Sequence, residues 1–330
     1  MTETRRSSPI KILITGVAGF IGSNLAANLL ARGHQVVGID HLGQGSLRNL
    51  EAIRDAAGFE FIHGDLNNPL ILNGPRVDVL VHLASQKIPR YSSAQACLDE
   101  NSRVLKYVLE KCLRDRIRLV YASTSDVYGK NPNVPFDEES DLVLGPTRVR
   151  RWAYALSKIY GEHTILAHHE EYGLEFTIGR PFGSYGPNQH LTWWGGPQAV
   201  FIGLALKGEA LPIHGDGLQT RTFSYVSDTV DILTAFIEKD EARNEIFNVG
   251  AIVEEETTIL DLGKRIWRLV HGPASQPRID LIPYETFGRY EDVRRRVPCN
   301  QKVERLLGIT PRVGLDEGLT KTIEWQRSLS

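Results

Sequence analysis

The sequence predicts an α/β protein in which a doubly wound parallel sheet carries a smaller C-terminal α/β lobe. Three observations point to this fold class: short apolar runs alternate with amphipathic segments over residues 10–150, a glycine-rich turn follows the first run, and the composition changes after about residue 186. Continuous valine, isoleucine and leucine runs separated by helices are typical of parallel strands covered on both faces. A chain of 330 residues is long enough for two lobes that share a cleft.

Apolar runs and helical periodicity place the elements along the chain. The predicted strands cover residues 10–16, 35–40, 59–65, 77–85, 117–124 and 174–182. The predicted helices cover residues 22–33, 97–116, 151–173, 227–240 and 258–272, with a helix and a short strand in 199–217 and two helices in 300–328. We place a soft boundary near residue 180, so that residues 1–180 form the first lobe and residues 181–330 mainly the second.

Composition and charge exclude several classes of protein. The 38 basic and 40 acidic residues give a formal net charge of −2, so nothing indicates binding to nucleic acid. No apolar run reaches the roughly 18 residues of a membrane span, and the polar start "MTETRRSSPI" lacks the apolar core of a signal peptide. The three cysteines share no CxxC spacing, and the adjacent His168 and His169 point apart on a helix, so we expect no metal site. Free thiols fit a reducing cytoplasm.

A glycine-rich turn joins the first predicted strand to its helix. The stretch "ITGVAGFIGSNLAANLL" contains Gly16, Gly19 and Gly22. The first glycine permits the tight turn, the second lets a pyrophosphate approach the backbone, and the third lets helix and strand pack closely. Backbone N–H groups and the helix dipole then hold the phosphates. The stretch therefore predicts a dinucleotide-binding site in the first lobe.

A carboxylate at the end of the second strand bears on which dinucleotide binds. Asp40 closes that strand, where an acidic side chain binds the adenosine ribose diol and repels the 2′-phosphate of NADP. This position predicts NAD as the coenzyme. NADP stays open as an alternative, because His41 or Arg48 is placed to face a phosphate.

Further motifs follow in a fixed order along the chain. They are TGxxGFIG at 15–22, GDL at 64–66, HLA at 82–84, ASTSDVYG at 122–129, YxxxK at 154–158, RPFGSYGP at 180–187 and DGLQTRTFSYVSD at 216–228. Together they resemble the extended short-chain dehydrogenase/reductase family of NAD-dependent nucleotide-sugar epimerases and dehydratases, including UDP-glucuronate decarboxylase-like members. The resemblance covers residues 10–326. It implies an NAD-binding Rossmann domain in residues 1–180 and a nucleotide-sugar-binding lobe in residues 181–330.

The resemblance also assigns residues to the coenzyme. It implies that Asp65 and Leu66 bracket the adenine, that Ala84 lines the nicotinamide side, and that Lys87 lies near the phosphates. The alternative for Asp65 and Leu66 is an ordinary turn at the end of a strand. The full set of implied coenzyme contacts is Gly16, Gly19, Phe20, Ile21, Gly22, Asp40, Asp65, Leu66, Leu83, Ala84, Lys87, Tyr154, Lys158 and Pro181.

Tyr154 and Lys158 are the predicted catalytic pair. They lie one helical turn apart, so both side chains face the same way. A free phenol has a pKa of about 10, and we expect the Lys158 ammonium and a positive nicotinamide ring to lower it. Tyr154 then takes a proton from a sugar hydroxyl. Thr124, at the end of the fifth strand, is expected to hydrogen-bond the reacting oxygen, with Ser123 as the alternative.

The two residues after Thr124 bear on the fate of the 4-keto sugar. Ser125 and Asp126 follow it, and the triplet is similar to the Thr-Ser-Glu of UDP-glucuronate decarboxylases, whereas 4,6-dehydratases have Thr-Asp-Glu. The form RWxYxxSK at 151–158 also resembles the decarboxylases. We predict Asp126, and less directly Ser125, as catalytic; the alternative for Asp126 is a structural carboxylate that caps the turn before Tyr128.

Several functions stay open at this point. The sequence favours C4 epimerisation, because that reaction demands least of the site. The alternatives are decarboxylation of a UDP-glucuronate-like sugar, dehydration, and a catalytically silent NAD-binding scaffold. The intact tyrosine, lysine and threonine argue against the scaffold.

The substrate side contains arginines and tryptophans. The resemblance implies that Arg221 contacts the diphosphate or a sugar carboxylate of a nucleotide sugar, with a UDP-sugar favoured. It also implies one phosphate-binding arginine among residues 294–296, for which we take Arg295. Gly183 stands where the family has a substrate-binding asparagine. Trp194 is expected to close over sugar or base, unless it and Trp193 pack at a lobe or subunit contact. A homodimer through helices 97–116 and 151–170 is also implied.

Overall fold

A seven-stranded parallel sheet forms the centre of the protein. The computed structural model describes residues 9–74, 76–87 and 93–329. The strand order is β3-β2-β1-β4-β5-β6-β9. These strands are β1 Lys11–Thr15, β2 Gln35–Asp40, β3 Phe59–His63, β4 Val79–His82, β5 Arg118–Ala122, β6 Phe176–Pro181 and β9 Glu245–Val249. The predicted fold class is confirmed. Residues 1–8, on which the prediction about a signal peptide rests, lie outside the described residues.

Helices cover both faces of this sheet. They are α1 Phe20–Ala31, α2 Ala94–Asp115, α3 Trp152–Tyr172, α4 Pro197–Lys207, α5 Val226–Glu238, α6 Ile259–His271, α7 Gln301–Leu307 and α8 Leu315–Arg327. Alternate residues of β1 point to opposite faces, so Ile12 and Ile14 pack with α1 and α5, while Leu13 packs with α2. Burial on both faces explains why these strands read as continuous apolar runs.

The order of the strands places the cleft. The chain moves outward from β1 through β2 to β3, then returns to the other side of β1 with β4. Ligands of doubly wound sheets bind at such a switch point, outside the carboxyl ends of the strands. The glycine turn follows β1 and Thr124 follows β5 at this same edge.

Strand β9 was not predicted from the sequence. It pairs in parallel with β6, and Phe247 and Val249 are buried. The run "EIFNV" is only five residues long and mixes apolar with polar side chains, so its own pattern is weak, and pairing with β6 determines its structure. Residues beyond 180 therefore contribute to the large sheet as well as to the smaller lobe. The division near residue 180 stays a prediction.

Short strands in the second lobe bring two arginine segments together. These strands are β7 Leu211–His214, β8 Thr220–Arg221, β10 Thr257–Thr258, β11 Ile279–Ile282 and β12 Arg295–Arg296. In the β8–β12 pair, Arg296 is opposite Arg221 and Arg295 is opposite Thr220. Because side chains alternate along a strand, Arg221 and Arg296 share one face and Arg295 points to the other.

The described ranges contain neither a candidate membrane span nor a candidate metal cluster. No helix there has both the length and the apolar character needed to cross a bilayer. Among the same residues, no group of three or more His, Cys, Asp or Glu side chains is placed to hold a metal ion. Cys97, Cys112 and Cys299 are free thiols.

Candidate active site

A cleft of about 940 Å³ opens at the carboxyl ends of the strands. The glycine turn, the end of β5, the start of α3 and the face of β8 and β12 that carries Arg221 all line it. Most of the residues predicted from the sequence line this one cleft: Gly16, Gly19, Phe20, Ile21, Gly22, Asp40, Asp65, Leu66, Leu83, Ala84, Lys87, Thr124, Asp126, Tyr154, Lys158, Pro181, Gly183, Trp194 and Arg221. Ser125 and Arg295 do not line it.

The geometry of the glycine turn fits a dinucleotide. Gly16 has a φ of +75°, and a Cβ there would lie 3.0 Å from the Ala84 nitrogen. A Cβ on Gly22 would lie 2.8 Å from the Val17 Cα, so only glycine lets α1 pack this closely. No side chain caps the start of α1 at Gly19. The first turn of the helix therefore presents its N–H groups to a pyrophosphate.

Asp40 is held in place at the adenosine end of the cleft. Its two carboxylate oxygens accept the backbone N–H groups of Ala18, at 3.0 Å, and Leu42, at 2.7 Å. Each oxygen keeps a further lone pair for a ribose hydroxyl. The residues present fit NAD. His41 and Arg48 line the same part of the cleft.

Asp65 serves the local turn as well as lining the cleft. Its carboxylate accepts the Asn67 N–H at 2.8 Å, as in an ordinary turn at the end of a strand. Leu66 is buried in the core beside the cleft. Their predicted adenine contacts remain a proposal.

Tyr154 and Lys158 lie in the middle of the cleft, beside the end of β5. The Lys158 ammonium donates to the Ala122 carbonyl at 2.7 Å and lies 5.9 Å from the centre of the Tyr154 ring. Burial lowers the pKa of Lys158 to about 8. Thr124 accepts the Asp126 N–H at 3.2 Å and so caps the turn that follows β5. The strand end, the turn and α3 are thereby fixed relative to one another.

The pKa of Tyr154 does not shift in the predicted direction in the protein alone. Burial raises it above its ordinary value, and the nearby Asp126 and Cys97 act in the same direction. Hydrogen bonding with the Thr124 and Ser85 hydroxyls lowers it, but by less. Lys158 interacts with the backbone of β5, so its charge is directed partly away from the phenol.

Two arginines hold the carboxylate of Asp126. Arg151 Nη2 donates to Asp126 Oδ1 at 3.0 Å, and Arg296 Nη1 donates to the same oxygen. Burial would raise the pKa of Asp126, but Arg296 and Arg151 outweigh it, and the pKa lies below its ordinary value. Asp126 is therefore an ionised carboxylate that faces the cleft.

A second carboxylate extends this cluster. Asp292 accepts hydrogen bonds from Arg151 and Arg221, each at 2.9 Å, and from the Tyr284 hydroxyl at 2.8 Å. Burial lowers the pKa of Arg221 to about 10, although Asp292 acts in the opposite direction. Sequence reasoning missed Asp292 and Tyr284; the only signal for Asp292 was a carboxylate two residues before three consecutive arginines.

The choice of Arg295 from the arginine triplet is corrected by the structure. Arg295 pairs with Glu256 at 2.8 Å, Arg294, which precedes β12, pairs with Asp216 at 2.8 Å, and neither lines the cleft. Arg296 is the member that lines the cleft. The register of β12 against β8 is the physical reason, since it turns alternate side chains to opposite faces.

Ser125 and Ser123 differ in their relation to the cleft, which Ser123 lines and Ser125 does not. Ser125 is buried and does not line the cleft, so the prediction that it is catalytic has no support from its position. The Ser123 hydroxyl donates to Glu162 on α3. The Tyr154 hydroxyl interacts with the hydroxyls of Thr124 and Ser85.

The two tryptophans have different positions, although both line the cleft. Trp193 stacks on His214, with ring centres 4.2 Å apart, and packs edge-on against Phe201. The Lys87 ammonium lies 5.8 Å from the centre of the Trp194 ring. Trp193 thus anchors the segment against α4 and β7, while Trp194 lies beside Lys87.

Gly183 is required by the backbone at its position. Its φ is +45°, and a Cβ there would lie 2.7 Å from the Thr222 carbonyl oxygen. An asparagine, as in the resembling family, would need the segment around Thr222 to move. Glycine at position 183 therefore lets the loop after β6 approach the segment after β8 more closely than any side chain would allow.

The fold and the cleft define a dinucleotide-dependent enzyme of the doubly wound α/β class. A sequence profile of the NAD dependent epimerase/dehydratase family matches residues 12–250, and the chain belongs to this family. It is 33% identical over 324 residues to the UDP-N-acetyl-alpha-D-glucosaminuronate decarboxylase of Bacillus cytotoxicus, covering 97% of this chain and 98% of that protein. It is 32% identical over 330 residues to the UDP-glucose 4-epimerase of Mycolicibacterium smegmatis, covering 97% and 100%.

Solved structures agree with this assignment. The UDP-glucuronic acid 4-epimerase from Bacillus cereus, in complex with UDP-glucuronic acid and NAD, superimposes with a TM-score of 0.86 and 27% identity, covering 97% of this chain and 100% of that one. The predicted family, the Rossmann-type fold, NAD as the coenzyme and nucleotide-sugar chemistry are confirmed.

Proposed function

We propose that the protein oxidises a nucleotide-diphosphate hexuronate at C4 and releases its C6 carboxylate as carbon dioxide. The observation that carries the proposal is the pair of arginines, Arg151 and Arg296, that meet at Asp126 beside Tyr154. Guanidinium groups bind carboxylates through planar paired donors. Both the decarboxylase and the 4-epimerase named above for uronate sugars are consistent with such a substrate.

The first step needs a base and an aligned hydroxyl. Bound NAD supplies the two-electron oxidation at C4 and the later reduction. Tyr154 takes the proton from the C4 hydroxyl, and the Thr124 hydroxyl orients that oxygen. Lys158, while protonated, stabilises the phenolate by its charge. The Tyr154 hydroxyl then carries the proton that the ketone oxygen needs later.

The resulting 4-keto hexuronate is a β-keto acid. Its C5–C6 bond breaks, carbon dioxide leaves, and the electron pair forms an enolate between C5 and the C4 oxygen. The protonated Tyr154 and Thr124 face that oxygen and stabilise its negative charge. A proton from solvent adds to C5, and reduction at C4 completes the product.

The same site offers little for dehydration. Elimination of water across C5 and C6 needs an acid that donates to the C6 oxygen. Arg296 and Arg151 keep the pKa of Asp126 below its ordinary value, so its carboxylate is ionised, and Ser125 does not line the cleft. The cleft residues around Thr124 therefore lack a paired acid and base for that step.

C4 epimerisation, which the sequence favours, is the second candidate. It needs only Tyr154, Thr124 and Lys158 for proton transfer, and the two arginines fix Asp126 so that it is not free to remove the C5 proton. In this reaction Arg151 and Arg296 hold the C6 carboxylate of the sugar while the 4-keto intermediate turns over in the site. Both candidates share a uronate substrate and a 4-keto intermediate.

The test is product analysis by NMR and mass spectrometry. UDP-glucuronate, UDP-N-acetylglucosaminuronate, UDP-glucose and dTDP-glucose are each incubated with the purified holoenzyme. We expect loss of carbon dioxide from a UDP-uronate and no loss of water from either glucose derivative. Inversion at C4 with the carboxylate retained would establish the second candidate, and turnover of UDP-glucose alone would reject a uronate substrate. The Tyr154→Phe variant is the inactive control, and it should still bind NAD.

Three further properties of the protein are proposals. A UDP-sugar is the proposed nucleotide, and the cytoplasm is the proposed location. A homodimer would bury the outer surface of α2 and α3, which pack together and expose Leu156 and Tyr160 on the outer side of α3. Light scattering on the purified protein tests the dimer.

A further inference from the structure

A buried ion pair lies beneath the catalytic pair, on the side away from the cleft. Arg180 Nε donates to Glu162 Oε1 at 3.0 Å, and Arg180 Nη2 donates to Glu162 Oε2 at 2.6 Å. Each side chain is 5% exposed. Buried charges of this kind are stable only when they are fully hydrogen-bonded. Neither residue has a part in the mechanism described above.

Glu162 connects the ion pair to the catalytic residues. It lies on α3 one helical turn after Lys158, so both side chains point toward the sheet. The Ser123 hydroxyl donates to Glu162, and the Lys158 ammonium donates to the Ala122 carbonyl. Two side chains of α3 therefore hydrogen-bond to Ala122 and Ser123, the two residues directly before Thr124.

Arg180 connects the same pair to the opposite side. Its Nη1 donates to the Tyr128 hydroxyl and to the Glu138 carbonyl, each at 3.0 Å. The Tyr128 hydroxyl donates in turn to Asn248 of β9 at 2.7 Å. The network therefore joins β6, β9 and the turn after Thr124.

We propose that Glu162 is a positioning residue for Lys158 and Thr124. It holds the end of β5 against α3 through Ser123, and its negative charge favours the protonated form of Lys158. The role is independent of which sugar the enzyme uses, since it concerns only the residues that handle the C4 proton.

The charges around Lys158 set the sign of the expected effect. Burial lowers the pKa of Lys158 to about 8, while Cys97 from α2 and Glu162 from α3 act to raise it. The rings of Tyr121 from β5 and Tyr154 from α3 face the Lys158 ammonium. His82 from β4 is neutral, because burial and the charge of Lys158 lower its pKa to about 3. Loss of the Glu162 charge therefore lowers the pKa of Lys158, and Arg180, left without its partner, lowers it further.

The experiment separates charge from position with three variants of the NAD-loaded enzyme. Glu162→Gln keeps a hydrogen-bond acceptor and removes the charge, Glu162→Asp keeps the charge and shortens the reach, and Ser123→Ala removes only the hydrogen bond. The pKa of Lys158 is measured by NMR of isotope-labelled lysine side chains, assigned with Lys158→Met. The rate of bound NAD reduction is measured with UDP-glucuronate and with UDP-glucose. Thermal unfolding of each variant is recorded in parallel.

The expected results differ for each variant. Glu162→Gln should lower the pKa of Lys158 by about one unit, which moves the alkaline limb of activity to lower pH. Ser123→Ala and Glu162→Asp should leave that pKa within a few tenths of a unit and reduce the rate about 10-fold. An unchanged pKa of Lys158 in Glu162→Gln, with only a lower melting temperature, would overturn the charge effect. Unchanged rates in Ser123→Ala and Glu162→Asp would overturn the positioning role. The NMR measurement decides the charge effect of Glu162 on Lys158 even if neither sugar is turned over.

Discussion

Arg151 Nη2 lies 3.0 Å from Asp126 Oδ1, and this contact joins the start of the catalytic helix to the turn after β5. Arg151 caps the helix and precedes Tyr154 by three residues, so its contacts fix the end of the helix that carries the base. The same guanidinium donates to Asp292 at 2.9 Å. The start of the catalytic helix is thus tied by one partly buried cation to the turn after β5 and to Asp292.

Replacing a cleft arginine should impair a uronate substrate far more than a neutral one. Arg151→Gln or Arg296→Gln leaves Asp126 with one partner and removes a donor for the sugar carboxylate. We expect kcat/KM for UDP-glucuronate to fall on the order of 100-fold, because removing one partner of a desolvated, hydrogen-bonded charge pair between protein and ligand costs about 2–5 kcal/mol of binding. Arg295→Gln is the matched control, since Arg295 is about half exposed and pairs with Glu256 outside the cleft. A similar loss in Arg295→Gln would contradict the assignment.

Removing the charge of Asp126 should slow loss of carbon dioxide more than oxidation at C4. In Asp126→Asn both arginines are free to pair with the substrate carboxylate and so stabilise the ionic ground state. We expect a lower KM and a kcat reduced about 10-fold, because the added binding is lost as neutral carbon dioxide forms. Bound NADH should then accumulate, which absorbance measures directly. If Asp126→Asn epimerised or decarboxylated its substrate at the rate of the parent enzyme, Asp126 would have only a structural role.

The sequence was informative where a residue type is dictated by local geometry. A Cβ on Gly16 or Gly22 would clash with neighbouring backbone atoms, so both positions require glycine. Tyr154 and Lys158 are one turn apart on a single helix. These relations are local, so spacing alone reveals them. The parallel strands before residue 180 could be predicted equally well, because strands buried on both faces have continuous apolar runs in the sequence.

The sequence was less informative where distant segments meet. Arg296 rather than Arg295 faces the cleft because of its register with Arg221, which lies far away along the chain. Asp292 joins Arg151 and Arg221 only after both lobes have folded. Strand β9 likewise depends on pairing with β6. No spacing rule within one segment encodes such contacts.

The catalytic lysine should lower the stability of the fold at neutral pH. Burial lowers the pKa of Lys158 from 10.5 to about 8, so the unfolded chain binds more protons between these values and stability rises with pH there. Lys158→Met removes this cost, and we expect it to gain about 1–3 kcal/mol at pH 7, or roughly 2–4 °C in melting temperature. The gain should vanish as the pH approaches the unfolded pKa. Tyr154→Phe is the control, since it is inactive but keeps the Lys158 cation. A Lys158→Met protein that is less stable than its parent at every pH would contradict the predicted cost of burying Lys158.

Two glycines with positive φ separate backbone strain from close approach. A Cβ on Gly208, at φ +69°, meets nothing within 4 Å, whereas a Cβ on Gly183, at φ +45°, would lie 2.7 Å from the Thr222 carbonyl oxygen. Gly208→Ala should therefore cost about 1 kcal/mol from strain alone. Gly183→Ala should cost about 1–3 kcal/mol more, because the loop after β6 must move away from Thr222. Since Gly183 and Arg221 line the same cleft, KM for the nucleotide sugar should rise only in Gly183→Ala. Urea unfolding and steady-state kinetics on the two variants measure both effects. Equal losses of stability would contradict the extra cost predicted from the contact of Gly183 with Thr222.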